Sequence, residues 1–322
     1  MNKLKQTDVT ALGELLIDFT QNGFSNQGNF LMEANPGGAP CNVLAMLTKL
    51  GRKTAFIGKV GNDFLGKHLK AVIEEIGIDS RCLKLDDEVH TTLAFVHTYE
   101  DGDWDFSFYR NPGADMMLTE ADVDEALIAD SKVFHFGSLS MTHENSFKAT
   151  VKALELAKKH DCIISYDPNL REPLWDSPEH AREKIAIGME YCDVLKISDN
   201  EITWFTGMDD YDAGVKYLQN TYNIPLILLS MGRDGSRAYY KDLRVEVPAF
   251  VMENTIETTG AGDTFGACVI NYVLKNGLER FTEEKLIEML TFANAAAALI
   301  TTKKGALKVM PEIDEVQAIV GK

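Results

Sequence analysis

The sequence predicts an α/β fold, a mostly parallel central sheet covered by helices on both faces. Three observations point there. From residue 133 onward short apolar runs alternate with helical stretches, the pattern of repeated βαβ units. No internal repeat, low-complexity tract or clear linker divides the 322 residues. With 45% hydrophobic and 25% charged residues, the chain can bury a sizeable core and keep an ordinary charged surface. A single domain over 1–322 is expected, with ligands at the carboxyl ends of the strands.

In order, residues 9–18 read as the first strand, with Leu12, Leu15 and Ile17 apolar and Asp18 at its exit. A polar segment containing Gly and Asn follows over 21–35. Pro40 opens a helix with Val43, Leu44, Met46, Leu47 and Leu50 on one side, and Gly51 stops it. Residues 54–57 form a short buried strand. Asp63 caps a second helix bearing Leu65, Leu69, Val72, Ile73 and Ile76, closed by Gly77. The stretch from Gly61 to His68 nearly matches a Walker A phosphate loop. His68, however, replaces the Ser or Thr whose hydroxyl must reach magnesium, and Phe64 and Leu65 make a poor cradle. It reads as a loop and helix start.

Residues 91–98 and 104–110 are β-rich runs joined through Glu100-Asp101-Gly102-Asp103, a strong hairpin signal. Trp104, Phe106 and Phe108 alternate with Asp105, Ser107 and Tyr109, giving an apolar and a more polar face. Such a hairpin can be a lid, part of a dimer interface or part of the main sheet. Strands are expected at 133–136, 163–166, 194–197 and 226–230, with edge strands at 237–240 and 245–247. Helices are expected at 146–159 and 178–189, from Glu201, from Tyr211, after Asp263 and over 283–298.

Composition excludes some partners. Lys and Arg number 32 against 49 acidic residues, and a net charge of −17 argues against nucleic acid or an anionic membrane. An anionic nucleotide stays open, because local donors rather than net charge bind phosphate. The first residues lead into no apolar run, and no stretch is apolar enough to span a membrane. Five scattered cysteines without a Cys-x-x-Cys read as reduced, mostly buried thiols in a cytoplasm. Seven histidines show no zinc-type spacing.

The chemistry concentrates in Glu257-Thr258-Thr259-Gly260-Ala261-Gly262-Asp263-Thr264-Phe265. Gly260, Ala261 and Gly262 let a backbone approach a ligand closely, and they open a run of helical spacing from Phe265 to Leu274. The unpaired N–H groups and the helix dipole make a site for a phosphate or another developing anion. Asp263 in the first turn is either a helix cap or a general base beside that anion hole.

Thr258-Thr259-Gly260-Ala261-Gly262-Asp263 resembles the C-terminal signature of the ribokinase-like (PfkB) family of sugar kinases. Pro36-Gly37-Gly38-Ala39-Pro40-Cys41-Asn42 resembles its N-terminal signature, in the right order and at about the family's separation. The resemblance runs from Gly13-Glu14 to Pro311. Asn111-Pro112-Gly113-Ala114-Asp115 and Asp167-Pro168-Asn169-Leu170-Arg171 most resemble bacterial and plant fructokinases.

The resemblance implies a ribokinase-like fold with a small β lid, at about 19–35 and 91–111, that could pair two copies as a homodimer. It implies ATP with Mg²⁺ as phosphoryl donor and a free ketohexose, fructose before others, as acceptor. Asp18, Gly37, Gly38 and Asn42 are then expected on the sugar, with Ser138 where some members carry an acidic ribose contact. Asp263 becomes the base and the N–H groups of Ala261, Gly262 and Asp263 the anion hole. Arg110 and Arg171 lie near the sugar or the phosphoryl group, Arg171 as the better match to phosphate oxygens. Glu201 places magnesium through water, although Ser198 replaces the asparagine that opens that motif. Ser230, Gly232 and Gly235 border the nucleotide, and Asn294 matches a position near adenine. Glu257 stands where many members carry an aspartate ligand of potassium, and apolar Val309 where some offer a hydroxyl. A weakened or lost potassium site is expected. Because an arginine pair could read a carboxylate or phosphate, 2-keto-3-deoxygluconate and fructose 1-phosphate remain alternatives. A non-catalytic sugar or nucleotide sensor is a further one, against which the intact Asp263 argues.

Overall fold

The computed structural model describes residues 5–98 and 104–321, with side chains undescribed at 97, 98 and 104–106. The expected 100–103 turn and the facing of Trp104, Asp105 and Phe106 therefore lie outside the described residues. The strands are β1 (Thr7–Leu12), β2 (Leu16–Phe24), β3 (Phe30–Gly37), β4 (Thr54–Gly61), β5 (Asp79–Asp86), β6 (Leu93–Thr98), β7 (Trp104–Tyr109), β8 (Ser131–Gly137), β9 (Ile163–Asp167), β10 (Val194–Ser198), β11 (Leu226–Ser230), β12 (Ser236–Tyr240) and β13 (Leu243–Val247). The helices are α1 (Ala39–Lys49), α2 (Phe64–Ile76), α3 (Glu125–Ala129), α4 (Glu144–Lys159), α5 (Pro178–Tyr191), α6 (Asp199–Thr206), α7 (Tyr211–Tyr222), α8 (Ala261–Asn276), α9 (Glu283–Ile300) and α10 (Ile313–Val320).

The main sheet has nine strands in the order β13-β12-β11-β10-β9-β8-β1-β4-β5. All its pairings are parallel except β11–β12 and β12–β13. Period-two alternation feeds two cores. In β11, Leu226 and Leu228 face a core shared with α1, α2, α8, α9 and α10. Ile227 and Leu229 face the other, shared with α3 to α7. Chain order reverses beside β1, and such a switch point opens a crevice at the carboxyl ends.

A second sheet has four strands, ordered β3-β2-β6-β7. It corrects one expectation, because residues 9–18 are not one strand. The chain leaves the main sheet after Leu12 and joins the small sheet at Leu16, which puts Asp18 inside β2 opposite Asn35 and Ala94. Residues 21–35, a polar segment by composition and part of the small β lid that the resemblance implied, supply most of the β2–β3 hairpin. The edge strand β5 was not anticipated; its charges alternate with Ser80, Cys82 and Leu83 because only one side is covered. The Walker-like stretch is the β4–α2 junction, where Asp63 accepts from Gly66 N (2.8 Å) as a cap, while Phe64 and Lys67 are exposed. All five cysteines are buried free thiols. Among the described residues no helix is long and apolar enough to cross a membrane.

Candidate active site

The residues singled out from sequence gather where β1, β8, β9, β10 and β11 end. At the centre is the N-terminus of α8. Gly260 takes a left-handed conformation (φ 77°) against Ala306, where a Cβ would lie 2.7 Å from the alanine methyl. Ala261 was expected to contribute its N–H to the anion hole, but it donates that group to the Thr258 carbonyl instead (3.1 Å). The N–H groups of Gly262 and Asp263 have no protein partner among the described residues. With the helix dipole behind them, they are disposed to receive an anion, and this is the candidate anion site.

Asp263 is 8% exposed, and its Oδ2 accepts from Asn42 Nδ2 (2.7 Å). Burial raises its pKa, opposed by that bond and by the charges of Lys196 and Arg171. Asp263 and Asp18 both line a cavity of about 280 Å³, together with Gly38, Asn42 and Arg171. Burial pushes Asp18 up to about 7; Arg171 opposes, and Asp263 and Glu257 add to the rise. Gly37 is small of necessity, since a Cβ there would stand 2.1 Å from Asp18 Oδ2. Gly38 adopts φ 120° just before α1. The cavity thus takes one carboxylate from the small sheet and one from the helix layer.

Two further residues belong here. Glu14, named above only as the start of the resemblance, lines the same cavity and accepts Ala39 N–H through Oε1 (2.9 Å), capping α1. Lys196 was missed altogether. It projects from β10 to pair with Asp167 Oδ2 (3.1 Å), and a Cβ on Gly262 would stand 3.1 Å from its Nζ. Burial alone would lower its pKa, but Asp167, Glu201 and Asp263 outweigh burial and hold it raised, hence cationic. The available signal was a lysine inside an otherwise apolar strand, Val194-Leu195-Lys196-Ile197. Lys196 and Arg171 also line an adjoining cavity of about 480 Å³ with Ser198 and Glu201.

A third cavity, of about 420 Å³, holds Ser230, Gly232, Gly235 and Asn294 and shares Thr258 and Gly262 with the first. The two compartments meet at the anion site. This is the geometry group transfer needs, an acceptor and a donor on either side of one set of N–H groups.

Several expected contacts fall elsewhere. Ser138 is fully buried and donates to the Pro168 carbonyl, so it ties β8 to the β9 loop rather than touching the cavity. Arg110 is committed to Asp115 (Nε 2.8 Å, Nη2 2.7 Å), Thr142 Oγ1 (2.8 Å) and Leu139 O (3.1 Å). It positions the end of β7 and does not line the cavity that holds Asp18 and Asp263. Asn294 lines the third cavity, but its amide is engaged by protein groups. Glu201 accepts Leu170 N–H through Oε1 (2.7 Å) and the Ser198 N–H and hydroxyl through Oε2 (2.8 Å each). Ser198 caps α6 in return. Glu257 Oε1 accepts Gly305 N–H (2.6 Å).

The chain matches the model of the pfkB family carbohydrate kinases over residues 6–313. It is 40% identical to "Probable fructokinase-2" of Arabidopsis thaliana over 306 residues, covering 94% of this chain and 92% of that protein. With "Fructokinase-1" of Zea mays the identity is 39% over 319 residues, 98% of each chain. Among solved structures, it resembles fructokinase with bound ATP from Xylella fastidiosa (TM-score 0.88, 29% identity, 99% of each chain). It also resembles a fructokinase double mutant from Vibrio cholerae O395 with fructose, ADP and potassium ion bound (TM-score 0.85, 25% identity, 99% of each chain). A third likeness is to a putative ribokinase II from E. coli in complex with ATP and Mg²⁺ (TM-score 0.86, 25% identity, 98% of this chain and 99% of that one). With the fold and both signature loops in place, the chain belongs to the pfkB family of carbohydrate kinases.

Proposed function

We propose that this kinase transfers the terminal phosphoryl group of ATP to fructose, giving fructose 6-phosphate. The observation that carries the reading is the meeting of two cavities at Gly262, with a buried carboxylate, Asp263, on the acceptor side. The relatives named as fructokinases favour fructose. So does Arg110, whose engagement with Asp115 leaves no arginine pair to read an acidic or phosphorylated sugar.

Asp18, Gly38 and Asn42 hold the sugar. Asp263 takes the proton of the primary hydroxyl as its oxygen bonds to phosphorus and the bond to the ADP oxygen breaks. Gly262 and Asp263 N–H, Lys196 and Arg171 meet the charge on the transferred group as donors already aimed at it. Magnesium bound with the nucleotide supplies charge neutralisation on the phosphates. The committed Glu201 carboxylate suits a water-mediated hold on it, and among the described residues no cluster of acidic, His or Cys side chains could ligate a metal directly. A potassium cage fits poorly. Glu257 closes onto Gly305, and the Ile300 carbonyl accepts Lys303 N–H (3.0 Å). The small sheet serves as the lid. Its exposed Phe24, Phe30 and Leu31 support pairing of two copies through it. The free thiols suit a reducing cytoplasm.

The reading is tested by kcat/KM for fructose, 2-keto-3-deoxygluconate, ribose, glucose and fructose 1-phosphate with ATP and magnesium. Fructose is expected first, and a higher value for 2-keto-3-deoxygluconate rejects it. Asp263→Asn is expected to lower kcat by roughly 10²–10⁴-fold with a much smaller change in sugar affinity. Retention of a third of the wild-type kcat would show Asp263 to be only a cap. Lys196→Met is expected to cost about 10²–10³ in kcat, the scale of a lost charge-stabilising donor. Sugar affinity measured without nucleotide should hold; equal loss of both would make Lys196 structural.

The pH dependence follows from Asp18, whose folded pKa is raised to about 7. The ionised form accepts sugar hydroxyls, so kcat/KM is full above that pH and falls below it, approaching about tenfold per unit. A profile flat down to pH 5.5 contradicts this. For potassium, less than about threefold activation over sodium at fixed ionic strength is expected, since a displaced carboxylate weakens a hard-cation cage. A tenfold, potassium-specific rise that Glu257→Ala abolishes would restore the site.

A further inference from the structure

Asp263 is the third residue of α8. A carboxylate in the first turn is drawn by the helix dipole onto the free N–H groups of that turn. Here such a bond would consume the carboxylate and the candidate anion site together, because Gly262 and Asp263 supply those N–H groups. The structure does not form it. No side chain caps α8, and the carboxylate turns instead to Asn42, whose Nδ2 donates to Oδ2 (2.7 Å). Chemistry fixes the orientation of that amide, since an ionised carboxylate only accepts and must face the nitrogen. Asp263 Oδ1 has no hydrogen-bond partner among the described residues, and Asp263 lines the cavity shared with Asp18. The start of α1 is anchored separately. Glu14 Oε1 accepts Ala39 N–H (2.9 Å), and a Cβ on Gly38 would stand 2.5 Å from Glu14 O. The nearby cations have partners of their own. Lys196 pairs with Asp167 (3.1 Å), and Arg171 Nη1 donates to Asn169 Oδ1 (2.9 Å) and Leu170 O (3.1 Å).

We propose that Asn42 is a positioning residue for the base: it holds the Asp263 carboxylate off the N–H groups of α8, so that one helical turn serves both as general base and as anion site. The inference rests on the reading of Asp263 as the base. With Oδ2 tied to α1, the plane of the carboxylate is set and Oδ1 is left for the acceptor hydroxyl. A general base works only within hydrogen-bond reach of the proton it takes, and a misplacement of about 1 Å can cost about 10²-fold. The N–H groups meanwhile stay free to meet charge on the phosphoryl group. The same bond opposes burial, which alone would favour the neutral acid. Lys196 and Arg171 act in the same direction, while Asp18 and Asp167 face Asp263 as like charges. The chemical step is unaltered. The sugar oxygen bonds to the terminal phosphorus, the bond to the ADP oxygen breaks, and the proton goes to Asp263 Oδ1.

The test is a double-mutant cycle of Asn42→Ala and Asp263→Ala, with kcat and KM for fructose measured at saturating ATP and magnesium. Asn42→Ala alone is expected to lower kcat by about 10²-fold. In the Asp263→Ala background it is expected to change kcat by less than about threefold, because no carboxylate remains to be placed. Any rise in KM, which reports the contact of Asn42 with the sugar, should persist in both backgrounds. Equilibrium binding of a non-hydrolysable ATP analogue and of ADP, each with magnesium, is the second readout. Asn42→Ala should weaken the analogue by about tenfold, within the range of a charge at a helix N-terminus, while ADP holds. Adding Asp263→Ala should restore the analogue. Losses in kcat that multiply in the double variant overturn the proposal, and so does an analogue affinity that Asn42→Ala leaves unchanged. Asn42→Leu, similar in size and without a donor, replaces the alanine variant should circular dichroism show that one unfolded. Retention of a third of the wild-type kcat by Asp263→Ala would instead reject the reading of Asp263 as the base.

Discussion

The site depends on a largely buried cation. Taking Lys196 out of water costs several kcal/mol unless opposite charge meets it. Asp167 closes an ion pair with it, while Glu201 and Asp263 surround it from α6 and α8. That arrangement requires β9, β10, α6 and α8 to hold fixed relative positions, which the two cores on either side of the sheet supply. The same pairing points Nζ at Gly262, where any side chain would crowd it. The smallest residue in the signature loop and the buried lysine are thus parts of one construction. Its outcome is an ammonium group held beside Gly262, where the proposed transfer would gather charge on the phosphoryl group.

A second constraint joins the two sheets. Asp18 belongs to the small sheet and Asp263 to the helix layer of the large one, so the cavity they share exists only while the sheets keep their relation. A buried network enforces it. Arg110 at the end of β7 pairs with Asp115, which also accepts from Thr92 ahead of β6, while the same guanidinium holds Leu139 and Thr142 beyond β8. Removing one partner of such a pair leaves a bare buried charge, which is far costlier than losing a surface bridge. Arg110 therefore acts on the site through the placement of the small sheet. On the other side, Glu257 to Gly305 and Lys304 to Glu33 tie the α9–α10 loop to the approach to α8 and to β3.

The sequence by itself determined the class of fold, the parallel sheet and the anion-binding turn. These follow from local rules: apolar alternation, capping residues such as Asp63, and small residues opening a helix. Asp18, Asn42 and Asp263 were legible because the residue types and their signatures are local. The tertiary structure alone decided which polar groups were still free to meet a ligand. Arg110, Ser138 and Asn294 looked like ligand contacts by type and position, but each found its partners in segments remote in sequence: Thr142 and Leu139, Pro168, and Ser236 with Val247. Lys196 was hidden for the converse reason, since a lone lysine in an apolar strand acquires meaning only when Asp167 and Gly262 come within reach. The break between β1 and β2 was equally invisible, because both halves are apolar and only the choice of sheet separates them. Periodicity reports what one segment buries; satisfaction of a charge or an amide is settled by whatever the fold brings beside it.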